Sequence, residues 1–268
     1  MERPTWAPGE VDLNRPSAAR VYDYYLGGAH NFAADREFAH RAMAVMPDIA
    51  QVMRTYRAAL HRAVWFLLDQ GIRQFLDLGS GIPTVGNVHE VAQRVDPAAR
   101  VVYVDNEPVA VAHSRALLAD NPNAAVIGAD VRDPAAIFAA PETRRLLDLD
   151  RPLGVLMSAV LHFVPDSADP QGLVSQYRER MAPGSYLMIS HATNDHDFDQ
   201  GPRVTQMYRR DSDPVTMRTR AQVSALFEGF ELVSPGLVYL PLWRPDALED
   251  VPERPELSRG YVAVGRRI

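Results

Sequence analysis

The segment Asp77-Leu78-Gly79-Ser80-Gly81-Ile82-Pro83-Thr84 carries the sharpest chemical signal in the chain. Glycines at 79 and 81 let a ligand approach the main chain closely, and a helix opening just beyond them would offer unpaired backbone amides. Taken alone, such a turn is equally well a tight strand-to-helix corner that binds nothing. Two further acids change that balance. Asp105 follows the apolar run at 101–104, and Asp130 follows the run at 125–127, so both stand at the carboxyl ends of predicted strands, where Asp77 also falls. In open α/β sheets these ends form the ligand crevice, and the three carboxylates would converge there. Asp105 stands where an acid can hold two ribose hydroxyls.

The ligand is then a dinucleotide or S-adenosylmethionine. A carboxylate at Asp77, two residues before the first glycine, would repel a pyrophosphate and suit the ammonium of a methionine moiety. Thr84 stands where the dinucleotide fingerprint has its third glycine. Both features favour the sulfonium cofactor over NAD. Two histidines follow the next predicted strands: His162 in Val160-Leu161-His162-Phe163-Val164 and His191 in Ile189-Ser190-His191-Ala192. Each is a candidate proton acceptor, since histidine titrates near neutrality, with His162 preferred. Each is equally well a histidine bonded to the loop beneath it. His191 and His196 lie five apart around Asp195, a cluster that loops often carry without metal, and no metal is expected.

The elements that must position these groups follow from apolar periodicity. Residues 48–70 carry Ile49, Val52, Met53, Tyr56, Leu60, Val64, Leu67 and Leu68 in a helical stripe, opened by Pro47-Asp48 and stopped by Gly71. From residue 74 onward short apolar runs at 75–78, 101–104, 125–127, 153–159 and 186–190 alternate with helical stretches at 85–95, 108–119, 134–147 and 171–181. Strands without polar alternation, separated by helices, imply a buried parallel sheet. A helix at 221–227 precedes strands at 231–240 and 259–266, expected as an antiparallel pair at a sheet edge around a proline-rich excursion. The expected class is α/β: a doubly wound, mostly parallel, seven-stranded Rossmann-like sheet with a helical N-terminal cap. Residues 1–70 would form the arm and cap, and 71–268 the binding core. The polar stretch 194–213 is placed on the acceptor side, with Met207, Tyr208 and Arg210 as candidate contacts.

Composition narrows the chemistry. A chain of 268 residues, 47% apolar and 23% charged, has enough surface to bury one large core. With no cysteine, disulfides, thiolate metal sites and cysteine nucleophiles are excluded. All 28 basic residues are arginine, so Schiff-base chemistry and a P-loop lysine are excluded too. A net charge of −6 argues against a general nucleic-acid or anionic-membrane partner. The stretch 49–68 is interrupted by Arg54, Arg57, His61 and Arg62 and cannot cross a bilayer, and the N-terminus has no signal-peptide pattern. A cytoplasmic location is expected.

The block Asn14-Arg15-Pro16-Ser17-Ala18-Ala19-Arg20-Val21-Tyr22-Asp23-Tyr24-Tyr25-Leu26-Gly27-Gly28-Ala29-His30-Asn31-Phe32 resembles the N-terminal signature of a specific group. That group is the actinobacterial S-adenosylmethionine-dependent methyltransferase-like family, of class I methyltransferase fold and long catalogued as a domain of unknown function. Residues 75–89, 104–108 and 158–166 look like it as well, and the similarity runs from about Leu13 to Gly265. The resemblance implies that Gly79, Ser80 and Gly81 wrap the methionine end, with Asp77 near its amino group. Asp105 would hold the ribose hydroxyls, Asn106 would lie beside the adenine, and Asp130 would meet the adenine amino group. Val131 would donate its amide to a ring nitrogen, while Ser158 and Ala159 flank the methionine chain and the methyl. Pro83 replaces the third glycine of many class I enzymes. Leu26-Gly27-Gly28 ends the helix begun at Ser17. The segment reads as core packing or as a lid, with Tyr22, Gly28 and Asn31 near the methionine end. The implied activity is methyl transfer to a small-molecule oxygen or nitrogen. Two other readings stay open: a nicotinamide-dependent oxidoreductase on the same sheet, and a non-catalytic regulatory protein that binds the cofactor.

Overall fold

Five apolar runs become parallel strands: Gln74–Leu78 (β1), Arg100–Asp105 (β2), Ala124–Gly128 (β3), Gly154–Ser158 (β4) and Tyr186–Ala192 (β5). The computed structural model describes residues 7–9, 11–83, 86–196 and 200–268. The sheet order is β3-β2-β1-β4-β5, so the chain reverses direction across the sheet between β1 and β4. Reversals of this kind are where open α/β sheets bind ligands. Beyond β5 lies Gly260–Arg267 (β8), antiparallel to it, and Phe230–Leu232 (β6) and Val238–Tyr239 (β7) both pair with the far edge of β8.

The sheet therefore has eight strands, not the expected seven. The stretch read as one strand at 231–240 is interrupted at Ser234-Pro235-Gly236. Pro235 has no N–H to give the ladder, and Gly236 turns at φ +84° with its N–H donating to the Val233 carbonyl at 2.7 Å.

Proline marks the helix starts, although the single helical stretch expected at 134–147 divides at Ala140 into two short helices. Pro108–Leu117 (α5), Pro134–Ala139 (α6), Pro141–Leu146 (α7) and Pro170–Arg180 (α8) all open on proline, which lacks the N–H that a first helical residue cannot use. Glu107, Asp133 and Asp169 cap three of them through their carboxylates. Val88–Val95 (α4) begins later than expected; Thr84 and Val85 lie outside the described residues. Alternate residues of each strand face opposite layers. Phe75, Val101, Leu156 and Met188 pack under Ile49–Asp69 (α3), whereas Leu76, Val102, Val155 and Leu187 pack against α6, α7 and α8.

A third apolar cluster stands apart from the sheet. Ala18–Tyr25 (α1) and Ala33–Val45 (α2) bury Val21, Tyr25, Phe38 and Ala42 against Ile49 at the start of α3. Gln200–Asp211 (α9), inserted after β5, joins them through Val204, Met207 and Tyr208, an i, i+3, i+4 face on an otherwise polar helix. The cap thus draws on a late stretch of chain as well as the early one, while the body of α3 belongs to the sheet layer. Arg220–Ala225 (α10) follows, before β6.

Candidate functional site

The carboxyl ends of β1 to β5 open into a cavity of ≈ 780 Å³ roofed by α1, α3 and α9. That volume lies in the upper part of the range for small-molecule sites. Asp77, Gly79, Ser80, Gly81, Asp105, Asn106, Asp130, Val131, Ser158, Ala159, His162 and Tyr22 all line it.

The glycine turn is built by the main chain. Gly79 and Gly81 sit at φ +69° and +68°, in the left-handed region that side chains disfavour. A Cβ on Gly79 would collide with the Val160 side chain, so only glycine lets the turns after β1 and β4 pass. Gly79 N–H and Ser80 N–H donate to the Val104 carbonyl at 2.8 and 3.1 Å. The Ser80 hydroxyl is buried and has no hydrogen-bond partner among the described residues.

Asp105 is fixed by the turn it faces. Its Oδ2 accepts from Gly81 N–H at 2.7 Å and its Oδ1 from Glu107 N–H at 2.8 Å. A carboxylate offers about four acceptor sites, so capacity for two hydroxyls remains. Burial pushes the Asp105 pKa up to about 6, although the two amides pull it down. Asp77 is 5% exposed and rises further, to about 7, through burial and with the Asp105 charge adding; the Arg57 guanidinium opposes this. Ionised in that buried place, the carboxylate has little compensation, and a bound cation would supply it.

The remaining predicted residues differ in how available they are. Asp130 is half-buried and held by Arg132, whose Nε lies 2.9 Å from Oδ1, and this hydrogen bond keeps its carboxyl below the usual range. The Val131 carbonyl accepts from Tyr177 Oη at 2.7 Å. Ala159 adopts φ +55°, rare for alanine, with its N–H donating to the Ser190 carbonyl at 3.1 Å; Ser158 and Ser190 hydroxyls are 3.1 Å apart. This corner turns the chain from β4 into the short helix Leu161–Phe163 that carries His162. His162 is 8% exposed, and its Nδ1 has no hydrogen-bond partner among the described residues. Burial, with His191 and Arg218 beside it, holds its pKa well below the ordinary value, so the ring is neutral.

Three expected contacts are not where the sequence placed them. His191 does not line the cavity: it is fully buried, with Nδ1–H donating to the Ala192 carbonyl at 2.8 Å and Nε2 accepting from Arg218 Nη1 at 2.8 Å. Burial lowers its pKa to about 4, and both ring nitrogens are occupied. Gly28 and Asn31 also lie off the cavity lining. They wrap Asp23, whose Oδ2 accepts from His30 N–H at 3.0 Å and from Asn31 Nδ2 at 2.8 Å. A Cβ on Gly28 would collide with that carboxylate, which is why the bend needs glycine. Of the three candidates on α9, Tyr208 lines the cavity, Met207 packs in the cap and Arg210 is exposed. Tyr22 does line it, its hydroxyl donating to the Met53 carbonyl at 3.3 Å and pushed by burial to about 12.

Two arginines escaped the sequence reading, because their partners are too distant in the chain for any spacing rule. Arg20, 3% exposed, gives Nε to Asp35 and Nη1 to Glu107, each at 2.9 Å, tying the cap to the residue two beyond Asp105 that caps α5. Arg218, 2% exposed, donates to the Leu161 and Val164 carbonyls at 2.9 and 2.8 Å and to Asp166 at 2.7 Å, clamping the loop that presents His162.

Comparison with known proteins decides the family. A family model described as S-adenosyl methyltransferase matches residues 4–268. The chain belongs to the S-adenosyl methyltransferase family. A protein of Thermobifida fusca, solved as a candidate methyltransferase, is 42% identical, with a TM-score of 0.93 over 98% of this chain and 99% of its own. A DUF574 family protein of Streptomyces avermitilis is 42% identical, with a TM-score of 0.92 over 96% of this chain and 99% of its own. An O-methyltransferase family protein of Burkholderia thailandensis, 14% identical with a TM-score of 0.54 over 86% of this chain and 61% of its own, shares the fold. No curated protein matches. Among the described residues of this methyltransferase, no group of three His, Asp or Glu side chains could hold a metal, and no helix is long and apolar enough to cross a membrane.

Proposed function

We propose that the cavity binds S-adenosylmethionine and serves methyl transfer to an oxygen or nitrogen of a small molecule, with His162 as the proton acceptor. The observation that carries this reading is the pair of buried carboxylates, Asp77 and Asp105, at adjacent strand ends around a glycine turn with an unpartnered Ser80 hydroxyl. Their chemistry fits the cofactor: Asp77 suits its ammonium, Asp105 its ribose diol, and Ser80 with Gly79 and Gly81 the methionine end. Asn106, Asp130 and Val131 would border the adenine, and Ser158 and Ala159 the methyl-bearing side. When bound, the cofactor supplies a methyl group already activated on a sulfonium. The protein's part is then to orient, to exclude water and to take a proton. A neutral His162 can accept that proton at a ring nitrogen, and Arg218 keeps its loop in place.

In this reading α1 and α9, with α2 packed behind them, form the lid over the sheet, and the enzyme works in the cytoplasm without nucleic-acid or membrane partners. A nicotinamide cofactor fits less well, because Asp77 would face its pyrophosphate. A role limited to binding leaves the unpartnered Nδ1 of His162 without purpose. Calorimetric titration tests the reading. S-adenosylhomocysteine should bind and NAD should not, and Asp105→Ala should weaken binding by roughly ten- to a hundredfold, the worth of hydrogen bonds to a charged group. A folded protein that takes up NAD and ignores S-adenosylhomocysteine would overturn it.

A further inference from the structure

We propose that the methyl acceptor is an apolar, ring-bearing molecule with a neutral hydroxyl, seated between α3, α9 and the start of β8; this rests on the cofactor reading above. Across the sheet order β3-β2-β1-β4-β5-β8, the groups fitted to the cofactor occupy the half from β3 to β4. The same cavity continues over β5 and β8, where Thr193 and Arg259 line it and no role has been assigned.

The α3 and α9 side of that half is largely apolar, bordered by Thr193, Asn194, His196 and Thr205. One face of α3 presents Ile49, Val52, Met53 and Tyr56, and α9 adds Val204 and Tyr208. Tyr56 pins α3 there: its hydroxyl donates to the Arg259 carbonyl at 3.3 Å, and Gly260 has no room for a Cβ beneath the ring. Few hydrogen-bonding groups on a wall mean that water there is readily displaced by an apolar ring.

Charge argues for a hydroxyl over an amine. Arg259 sits at the floor, its Nη2 2.8 Å from Gln200 Oε1 and 3.9 Å from the half-exposed Asp48 carboxylate, whereas Arg218 stays behind the His162 loop, off the lining and paired with Asp166. Among the described residues lining this half, Asp213 is a carboxylate already accepting from Ala18 N–H at 3.0 Å. A protonated amine seated at that floor would meet the Arg259 guanidinium, whereas a neutral hydroxyl that yields its proton to His162 carries no charge for it to oppose.

The test is a titration of protein saturated with S-adenosylhomocysteine, using 2-naphthol as the apolar hydroxyl probe and spermidine as the cationic amine. 2-Naphthol should bind and spermidine should not. Val52→Thr and Val204→Thr keep side-chain shape while adding a hydroxyl to the wall, and each should weaken 2-naphthol by roughly three- to tenfold with the S-adenosylhomocysteine affinity unchanged. Tighter binding of spermidine, or 2-naphthol binding indifferent to both substitutions, overturns the acceptor class alone. Loss of S-adenosylhomocysteine binding by the unaltered protein overturns the cofactor reading and this inference together.

Discussion

At the residue scale, Asp77 and Asp105 are carboxylates that the fold stabilises in their protonated form. Their folded pKa values of about 7 and about 6 exceed the ordinary carboxylate value, so the folded state binds more protons than the unfolded one between about pH 4 and 7. Their burden on stability is absent below that window and fully present above it. The ligand-free protein should therefore lose stability from these groups as pH rises from 4 to 7. Asp77→Asn removes much of that burden: at pH 8 it should raise stability by about 1–3 kcal/mol, seen as a Tm higher by several degrees, while weakening S-adenosylhomocysteine. A lower Tm would mean that Asp77 serves the fold and not a ligand. Binding an ammonium requires the ionised form, so affinity should fall about tenfold per pH unit below 7. These acids were legible because strand ends can be read from apolar runs. His191 was misread because Arg218, far along the chain, occupies its Nε2.

At the element scale, the start of α1 is locked by ions and not by apolar packing alone. Asp35 is fully buried and accepts from Ser17 N–H, Phe32 N–H and Arg20 Nε. Arg20→Met leaves that carboxylate without its cation, and should cost about 3–5 kcal/mol in urea unfolding. Adding Asp35→Leu should restore part of the loss; a double variant no better than the single one would show that the cost lies elsewhere. Parallel strands and proline-opened helices were readable because each is written within a few adjacent residues. The division of the strand at 231–240 and the recruitment of α9 were not, since the first depends on how Pro235 meets β8 and the second on three residues in a polar helix.

At the scale of the whole molecule, the cavity lies between a sheet and a cap made from two separated stretches of chain. A ligand touching both should slow amide exchange in α1 and α9 together. α4 and α7 contribute nothing to the lining and should exchange as before. Hydrogen exchange with and without S-adenosylhomocysteine measures this, and protection confined to the sheet side would show that α1, α2 and α9 do not act as a lid.

The position of β8 has a consequence for how the molecule is made. This strand runs through Arg267, and it lies between β5 and the β6–β7 edge with six of its eight residues buried. On a ribosome, α1 and α2 emerge long before α9, and β5 emerges long before the strand that covers its edge. Until that strand is released, β5 offers a long unpaired edge to any neighbouring nascent chain, and the floor at Arg259 is not in place. That side of the cavity forms only after β8 has been made, and a polypeptide halted before β8 would be prone to aggregate.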